Sequence, residues 1–141
     1  RVGFDNCLGY LKGGVEKWEN DGNRVSSLET ITSKNFIDIL KLNKINILDV
    51  RKESEYSTKH IEGATNIPLR LLRSRIEELK SEENLYVHCA GGYRSVIAIS
   101  ISRKKGYSGM VNITEGFNEI LKSNLNESCY NSTLETSCND I

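Results

Sequence analysis

One cysteine of this chain lies in a setting that favours a reactive thiolate. Cys89 follows a β-like run at residues 85–88 and precedes two glycines, Arg94, and an apolar helical segment that begins at Val96. This order of strand, Gly-rich turn and helix aims backbone N–H groups and a helix N-terminus at one sulfur, where negative charge is stabilised. The thiolate is the nucleophilic form of cysteine, and a nearby cation favours it. The residues predict a cysteine in an anion-binding turn and leave phosphate, sulfur and redox chemistry open.

The candidate site consists of Cys89 as the nucleophile and of the residues after it as the substrate-binding wall. Two adjacent glycines let the backbone turn successive N–H groups inward, and an arginine offers a fork of donors to an oxyanion. The alternative is a buried, inert cysteine beside a tight turn, because free cysteine is often buried. The glycines, the arginine and the following helix together favour the reactive interpretation. The predicted substrate-binding residues are Ala90, Gly91, Gly92, Tyr93, Arg94 and Ser95.

Other polar residues near the predicted sheet are expected to have structural roles. Residues of a strand alternate between its faces, so His88 should point away from its neighbour, the candidate nucleophile. Asp49 and Arg51 close an earlier strand and are expected to form an ion pair that fixes the next turn. His60 is expected to be a hydrogen-bonded anchor. His60 and His88 are the two histidines of the chain, and the sequence has no Cys-x-x-Cys pair. We therefore predict no metal site and no cofactor.

Size and composition fit one globular domain. The chain has 141 residues, of which 38% are hydrophobic and 27% are charged. Its 19 Lys and Arg balance 19 Asp and Glu, which argues against nucleic acid or an anionic membrane as the main partner. No apolar stretch is long enough to cross a bilayer. Four cysteines without the spacing of a disulfide scaffold favour a reducing, cytoplasmic setting.

Strand and helix patterns alternate through the middle of the chain. Ser33 is a candidate N-cap for a helix, and residues 45–50 and 64–67 are typical of short buried strands. Leucines and an isoleucine at helical spacing predict a helix over residues 69–79, and a further strand is predicted over residues 110–113. This alternation predicts a parallel α/β sheet, in which active sites gather at the carboxyl ends of strands. The candidate nucleophile lies at such an end.

The two ends of the chain differ from the middle. Residues 3–18 are similar to residues 106–120, because both run from a glycine and an aromatic residue through a short apolar strand to a glycine and a helix start. We therefore interpret residues 1–25 as the tail of a preceding repeat or as a linker; a coincidental Gly-rich arm is the alternative. Residues 26–123 form the predicted catalytic domain. Residues 124–141 are rich in Asn, Ser and Thr and predict a polar, loosely ordered tail.

Three segments of the middle region carry a family resemblance. Residues 47–69 contain Ile-Leu-Asp-Val-Arg, Glu-Tyr and His-Ile-Glu-Gly-Ala, residues 88–95 contain the cysteine loop, and residues 106–117 contain two Gly-aromatic pairs. In this order they resemble the first signature, the active-site loop and the closing segment of rhodanese-like domains. Two positions depart from the family pattern: Lys59, where Gly is usual, and Ile120, where Trp is common.

The resemblance implies a rhodanese-type sulfurtransferase built on an open parallel α/β sheet of about five strands with helices on both faces. A small donor, thiosulfate or a persulfide, would pass its outer sulfur to Cys89, and a thiol or cyanide would accept it. Two half-reactions through a covalent intermediate predict ping-pong kinetics.

Two other functions fit the same fold. One is a non-catalytic binding or regulatory module, and the other is a phosphatase. Phosphatases of this fold have one more residue between cysteine and arginine than the four present here. Residues 1–18 also resemble the junction in multidomain proteins where a metallo-β-lactamase-like module precedes rhodanese-like modules. That resemblance implies covalently linked upstream domains.

Overall fold

A computed structural model describes residues 8–79, 84–123 and 130–131. Short strands and helices alternate along it, as the sequence pattern predicts. The helices are α1 (Gly14–Asn20), α2 (Ser33–Leu42), α3 (Glu53–Thr58), α4 (Leu72–Arg75), α5 (Tyr93–Lys104) and α6 (Gly116–Ile120), with a 3₁₀ turn at Ile76–Glu78. The strands are β1 (Thr30–Ile31), β2 (Asn46–Asp49), β3 (His60–Ile61), β4 (Thr65–Asn66), β5 (Leu85–His88), β6 (Met110–Ile113) and β7 (Tyr130–Asn131).

Five of the strands form one parallel sheet in the order β1-β6-β5-β2-β4. The central pair, β2 and β5, places Leu48 opposite Val87 and Asp49 opposite His88. Their carboxyl ends therefore bring Val50 and Cys89 to the same edge of the sheet. The α/β fold with about five parallel strands is confirmed.

Apolar side chains form a core on each face of the sheet, because alternate residues of a strand point to opposite faces. Leu48 and Val87 pack with Ile99 of α5 on one face. Ile47 and Ile113 lie in the other core, with residues of α2 and α6 that include Phe36, Phe117 and Ile120. Helices thus cover both faces, as predicted.

Three helices begin at different positions from those expected. Thr32 rather than Ser33 is the N-cap of α2, and its hydroxyl accepts the Asn35 N–H at 3.2 Å. The predicted helix over residues 69–79 is shorter, because the Leu69 N–H donates to the carbonyl of Val50 at 3.1 Å and keeps the chain extended along β2. Helix α4 begins after that contact and is followed by the 3₁₀ turn. Helix α5 begins at Tyr93, so the last three predicted loop residues form its first turn.

The ends of the chain are described in part. Residues 8–13 contain no strand, and α1 has no buried residue. Within the predicted tail, Tyr130–Asn131 pairs antiparallel with His60–Ile61, and the rest of residues 124–141 lies outside the described residues. No helix in the described ranges is long and apolar enough to span a membrane.

Candidate active site

The turn between β5 and α5 holds the candidate nucleophile. Gly92 is the N-cap of α5 and has φ 89°, a left-handed conformation that glycine adopts readily. A Cβ at this position would lie 1.7 Å from the carbonyl oxygen of Thr114, far inside contact distance. Glycine is therefore required here both for the backbone conformation and for the close approach of the residue that follows β6.

The sulfur of Cys89 accepts a backbone hydrogen bond within this turn. The side chain is 1% exposed and its thiol is free. The Gly92 N–H donates to Sγ at 3.2 Å. The hydroxyl of Ser95 lies 3.8 Å from Sγ and donates to the Gly92 carbonyl at 2.8 Å. A backbone donor and the N-terminus of α5 both favour negative charge on this sulfur, so the turn can stabilise a thiolate.

A second turn, between β6 and α6, holds the cysteine turn from outside. The N–H groups of Phe117 and Asn118 donate to the carbonyls of Cys89 and Ala90 at 2.7 and 3.0 Å. Gly116 allows this approach, because a Cβ on it would lie 2.5 Å from the Cys89 carbonyl oxygen. The family resemblance covers Gly116 and Phe117, but the sequence carries no signal that they contact the nucleophile's backbone.

Arg94 is bound by a carboxylate that the sequence pattern does not mark as part of the site. Its Nη1 and Nη2 donate to Glu55 Oε2 and Oε1 at 2.7 and 2.9 Å. The hydrogen bonds from Arg94 lower the pKa of Glu55 to about 2. The guanidinium assigned to an anionic substrate thus already has a full anionic partner, contributed by α3. Tyr93, another residue of the predicted substrate-binding wall, is 72% exposed at the surface.

The ion pair expected at the end of β2 is present and buried. Arg51 donates through Nε and Nη2 to Asp49 Oδ2 at 2.8 and 2.6 Å, and its Nη2 also donates to the Lys59 carbonyl at 2.9 Å. The guanidinium carbon lies 3.8 Å from the ring centroid of Phe117, as in a cation–π contact. This pair ties β2 to the turn before β3 and to α6.

Both histidines are buried, and each ring stacks on an aromatic side chain and lies near a backbone carbonyl. The ring of His88 is stacked on Phe117 with centroids 5.7 Å apart, and its Nδ1 lies 3.4 Å from the Cys89 carbonyl oxygen. Burial lowers the pKa of His88, which favours the neutral ring. His60 is stacked on Tyr56 with centroids 3.8 Å apart, and its Nδ1 lies 2.9 Å from the Tyr56 carbonyl. Both placements agree with the structural roles expected.

Among the described residues, no three His, Cys, Asp or Glu side chains cluster as metal ligands would. Cys7, Cys129 and Cys138 lie outside the described residues.

These features define an α/β protein with a buried cysteine in a glycine-containing turn at the carboxyl end of a central parallel strand. The family model of the rhodanese-like domain matches residues 32–123. The chain belongs to the rhodanese-like family, whose members include sulfurtransferases.

Curated relatives share part of this sequence. The chain is 33% identical over 109 residues to the putative sulfur carrier protein YrkF of Bacillus subtilis, covering 77% of this chain and 57% of that protein. It is 34% identical over 67 residues to the thiosulfate sulfurtransferase PspE of Escherichia coli, covering 46% of this chain and 64% of that protein. The chain therefore spans less than two thirds of the length of these relatives.

Solved structures share the fold. A rhodanese-like domain protein from Staphylococcus aureus is 26% identical with a TM-score of 0.61, over 66% of this chain and 91% of that one. The human single-domain sulfurtransferase TSTD1 is 26% identical with a TM-score of 0.60, over 70% of this chain and 100% of that one.

Proposed function

We propose that the protein moves a sulfane sulfur from a small donor, thiosulfate or a low-molecular-weight persulfide, to a thiol or cyanide through a Cys89 persulfide. The observation that carries this proposal is the hydrogen bond from the Gly92 N–H to Cys89 Sγ inside a turn that opens a helix. A turn that stabilises sulfur-centred negative charge suits both the thiolate nucleophile and the persulfide anion that follows it.

The proposed reaction has two balanced steps. The Cys89 thiolate attacks the outer sulfur of the donor, the donor's S–S bond breaks, and sulfite or a thiolate leaves with the electron pair. The acceptor then attacks the outer sulfur of the persulfide, and Cys89 returns as a thiolate. Because the cysteine side chain is 1% exposed, the transferred sulfur rather than the whole donor enters the turn. Residues 90–95 are the proposed donor-binding wall.

Mass spectrometry of the protein after exposure to thiosulfate or an organic persulfide tests this function. We expect Cys89 to gain the mass of one sulfur atom and to lose it when cyanide is added. Cys89→Ala should abolish the gain, whereas the matched variant with Cys7, Cys129 and Cys138 all changed to Ser should retain it. If no sulfane donor modifies Cys89, the sulfurtransferase proposal is wrong. Hydrolysis of an aryl phosphate would then favour the phosphatase, and inactivity in both assays would favour a binding module.

Residues 8–20 support the proposal that another module of the same fold precedes this domain. Gly14 opens α1 with φ 68°, as Gly116 opens α6 with φ 65°. Val15 and Trp18 are 63% and 42% exposed, whereas Phe117 and Ile120 at the matching positions of α6 are 2% and 0% exposed. Helix α1 thus has the apolar spacing of the closing helix α6, but none of its residues is buried.

We further propose a cytoplasmic protein with linked upstream domains, one of them metallo-β-lactamase-like as the sequence resemblance implies. An antibody against the domain should detect a native protein well above the 15.9 kDa of this chain. A native protein of this chain's own mass would contradict the linkage.

A further inference from the structure

Glu55 places a negative charge beside the positive charge of Arg94. We call this ion pair, at the start of α5, the mouth of the cysteine turn. It lies on α3, 39 residues before Arg94, and its carboxylate binds the guanidinium through both oxygens. The same carboxylate accepts the Lys52 N–H at 3.0 Å, which fixes it at the start of α3. The side chains of Arg94 and Glu55 are 30% and 32% exposed, so the pair is partly open to solvent, whereas Cys89 is 1% exposed.

Two arginines near the cysteine turn are each paired with a carboxylate. Arg94 is balanced by Glu55, and Arg51 is balanced by Asp49 at 2.6 Å. The hydrogen bonds from Arg94 hold the pKa of Glu55 near 2, so this carboxylate is ionised at neutral pH. With Cys89 as the thiolate of the proposed reaction, these five groups together carry a net charge of −1. The electrostatic repulsion energy between this net negative charge and a donor is twice as large for a doubly charged anion as for a singly charged one.

We propose that Glu55 is a specificity-determining residue that makes the Cys89 site favour sulfane donors of low charge over the thiosulfate dianion. This inference rests on the proposed sulfurtransferase function and names its donor class: singly charged or neutral compounds such as alkyl persulfides and thiosulfonates. Glu55 acts through Arg94, by holding the guanidinium and compensating its charge. A free guanidinium would instead attract the dianion.

Two donors that differ in one charge allow a direct test. Methanethiosulfonate and thiosulfate both present a terminal sulfur on a sulfonyl group, and they carry one and two negative charges. In either case Cys89 attacks the terminal sulfur and the S–S bond breaks, so that methanesulfinate or sulfite leaves with the electron pair. The readout is the ratio of kcat/KM for methanethiosulfonate to kcat/KM for thiosulfate.

Glu55→Gln keeps the shape of the side chain and removes its charge. We expect it to lower the donor ratio roughly two- to sixfold, mainly through a higher kcat/KM for thiosulfate. This range corresponds to removing one unit charge at a separation on the order of 8 Å from the donor, in a partly aqueous medium. The matched control is Glu53→Gln, which makes the same charge change on the same helix and should leave the ratio unchanged. An equal ratio in the wild type and Glu55→Gln, with both donors turned over, would overturn the inference and leave the sulfurtransferase function standing.

Ionic strength provides a second test that needs no variant. Salt screens charges beyond about 8 Å at physiological ionic strength. If the mouth repels dianions, kcat/KM for thiosulfate in the wild type should rise as salt is added, and more steeply than kcat/KM for methanethiosulfonate. A fall for thiosulfate would show a mouth of net positive charge and overturn the inference. Failure of both donors and of an organic persulfide to modify Cys89 would instead refute the proposed function itself.

Discussion

Replacing Gly92 with alanine tests whether close packing between Thr114, which follows β6, and the cysteine turn holds Cys89 in place. The new Cβ would lie 1.7 Å from the Thr114 carbonyl oxygen, and reaching the shortest separation seen for real Cβ atoms, 3.0 Å, requires a shift of about 1.3 Å. The N–H of Thr114 is held by the Ile31 carbonyl at 3.0 Å in the sheet, so the turn must move instead. That movement displaces the N–H that donates to Cys89 Sγ.

A matched glycine separates this clash from backbone strain. Gly106 has φ 90°, within one degree of Gly92, but open space surrounds the position of its Cβ. Gly106→Ala therefore costs only the left-handed conformation, about 1–2 kcal/mol. Gly92→Ala adds an overpacking cost of about 2 kcal/mol. For a domain of this size the difference corresponds to roughly 8 °C in Tm.

Urea unfolding and persulfide formation measure the two consequences. We expect Gly92→Ala to be less stable than Gly106→Ala by about 2 kcal/mol and to form the Cys89 persulfide at least about tenfold more slowly. Gly106→Ala should form it at the wild-type rate. Equal unfolding free energies for the two variants, together with normal persulfide formation in Gly92→Ala, would refute the role of the Thr114 contact.

Three further predictions concern the side chains around the turn. Arg51→Met leaves the buried carboxylate of Asp49 without its partner and should cost about 3–5 kcal/mol in urea unfolding, whereas Arg75→Met at an exposed ion pair should change stability little. Ser95→Ala removes a buried hydrogen bond to the Gly92 carbonyl and should cost about 1 kcal/mol and slow persulfide formation; an unchanged rate would show that this hydroxyl does not position the turn. The pKa of Glu55 falls from 4.5 to about 2 on folding, so its stabilising effect is complete above pH 4.5 and is lost as the pH falls toward 2. The difference in unfolding free energy between the wild type and Glu55→Gln should shrink over that interval, and a constant difference would contradict the ion pair.

Local sequence order predicts the part of the site that is contiguous in the chain. The β-like run before Cys89, the two glycines and the apolar helix after them define a strand, a turn and a helix N-terminus, because each follows from neighbouring residues. The pairing of Asp49 with Arg51 could also be expected, since the two residues are two positions apart at a strand end. Alternation along a strand placed His88 away from the sulfur for the same local reason.

Contacts between distant segments could not be predicted in this way. The partner of Arg94 is 39 residues earlier in the chain, on a one-and-a-half-turn helix whose orientation depends on the packing of the whole sheet. The start of α5 at Tyr93 also escaped prediction, because the apolar pattern begins at Val96 while the first helical turn is set by the Gly92 N-cap. Periodicity marks the buried part of a helix, and its N-terminus can extend beyond that part.

The cysteine turn is held from two sides by groups that do not contact its sulfur. On one side the N–H groups of Phe117 and Asn118 bind the carbonyls of Cys89 and Ala90, and on the other Glu55 binds Arg94. Because the turn is held from two sides, we expect it to reorganise little around donors of different size. Under the proposed function, the choice among donors would then depend on charge and on how far a single sulfur can reach. This is why the proposed selectivity depends on Glu55, since it neutralises Arg94, whose charge would otherwise face an anionic donor.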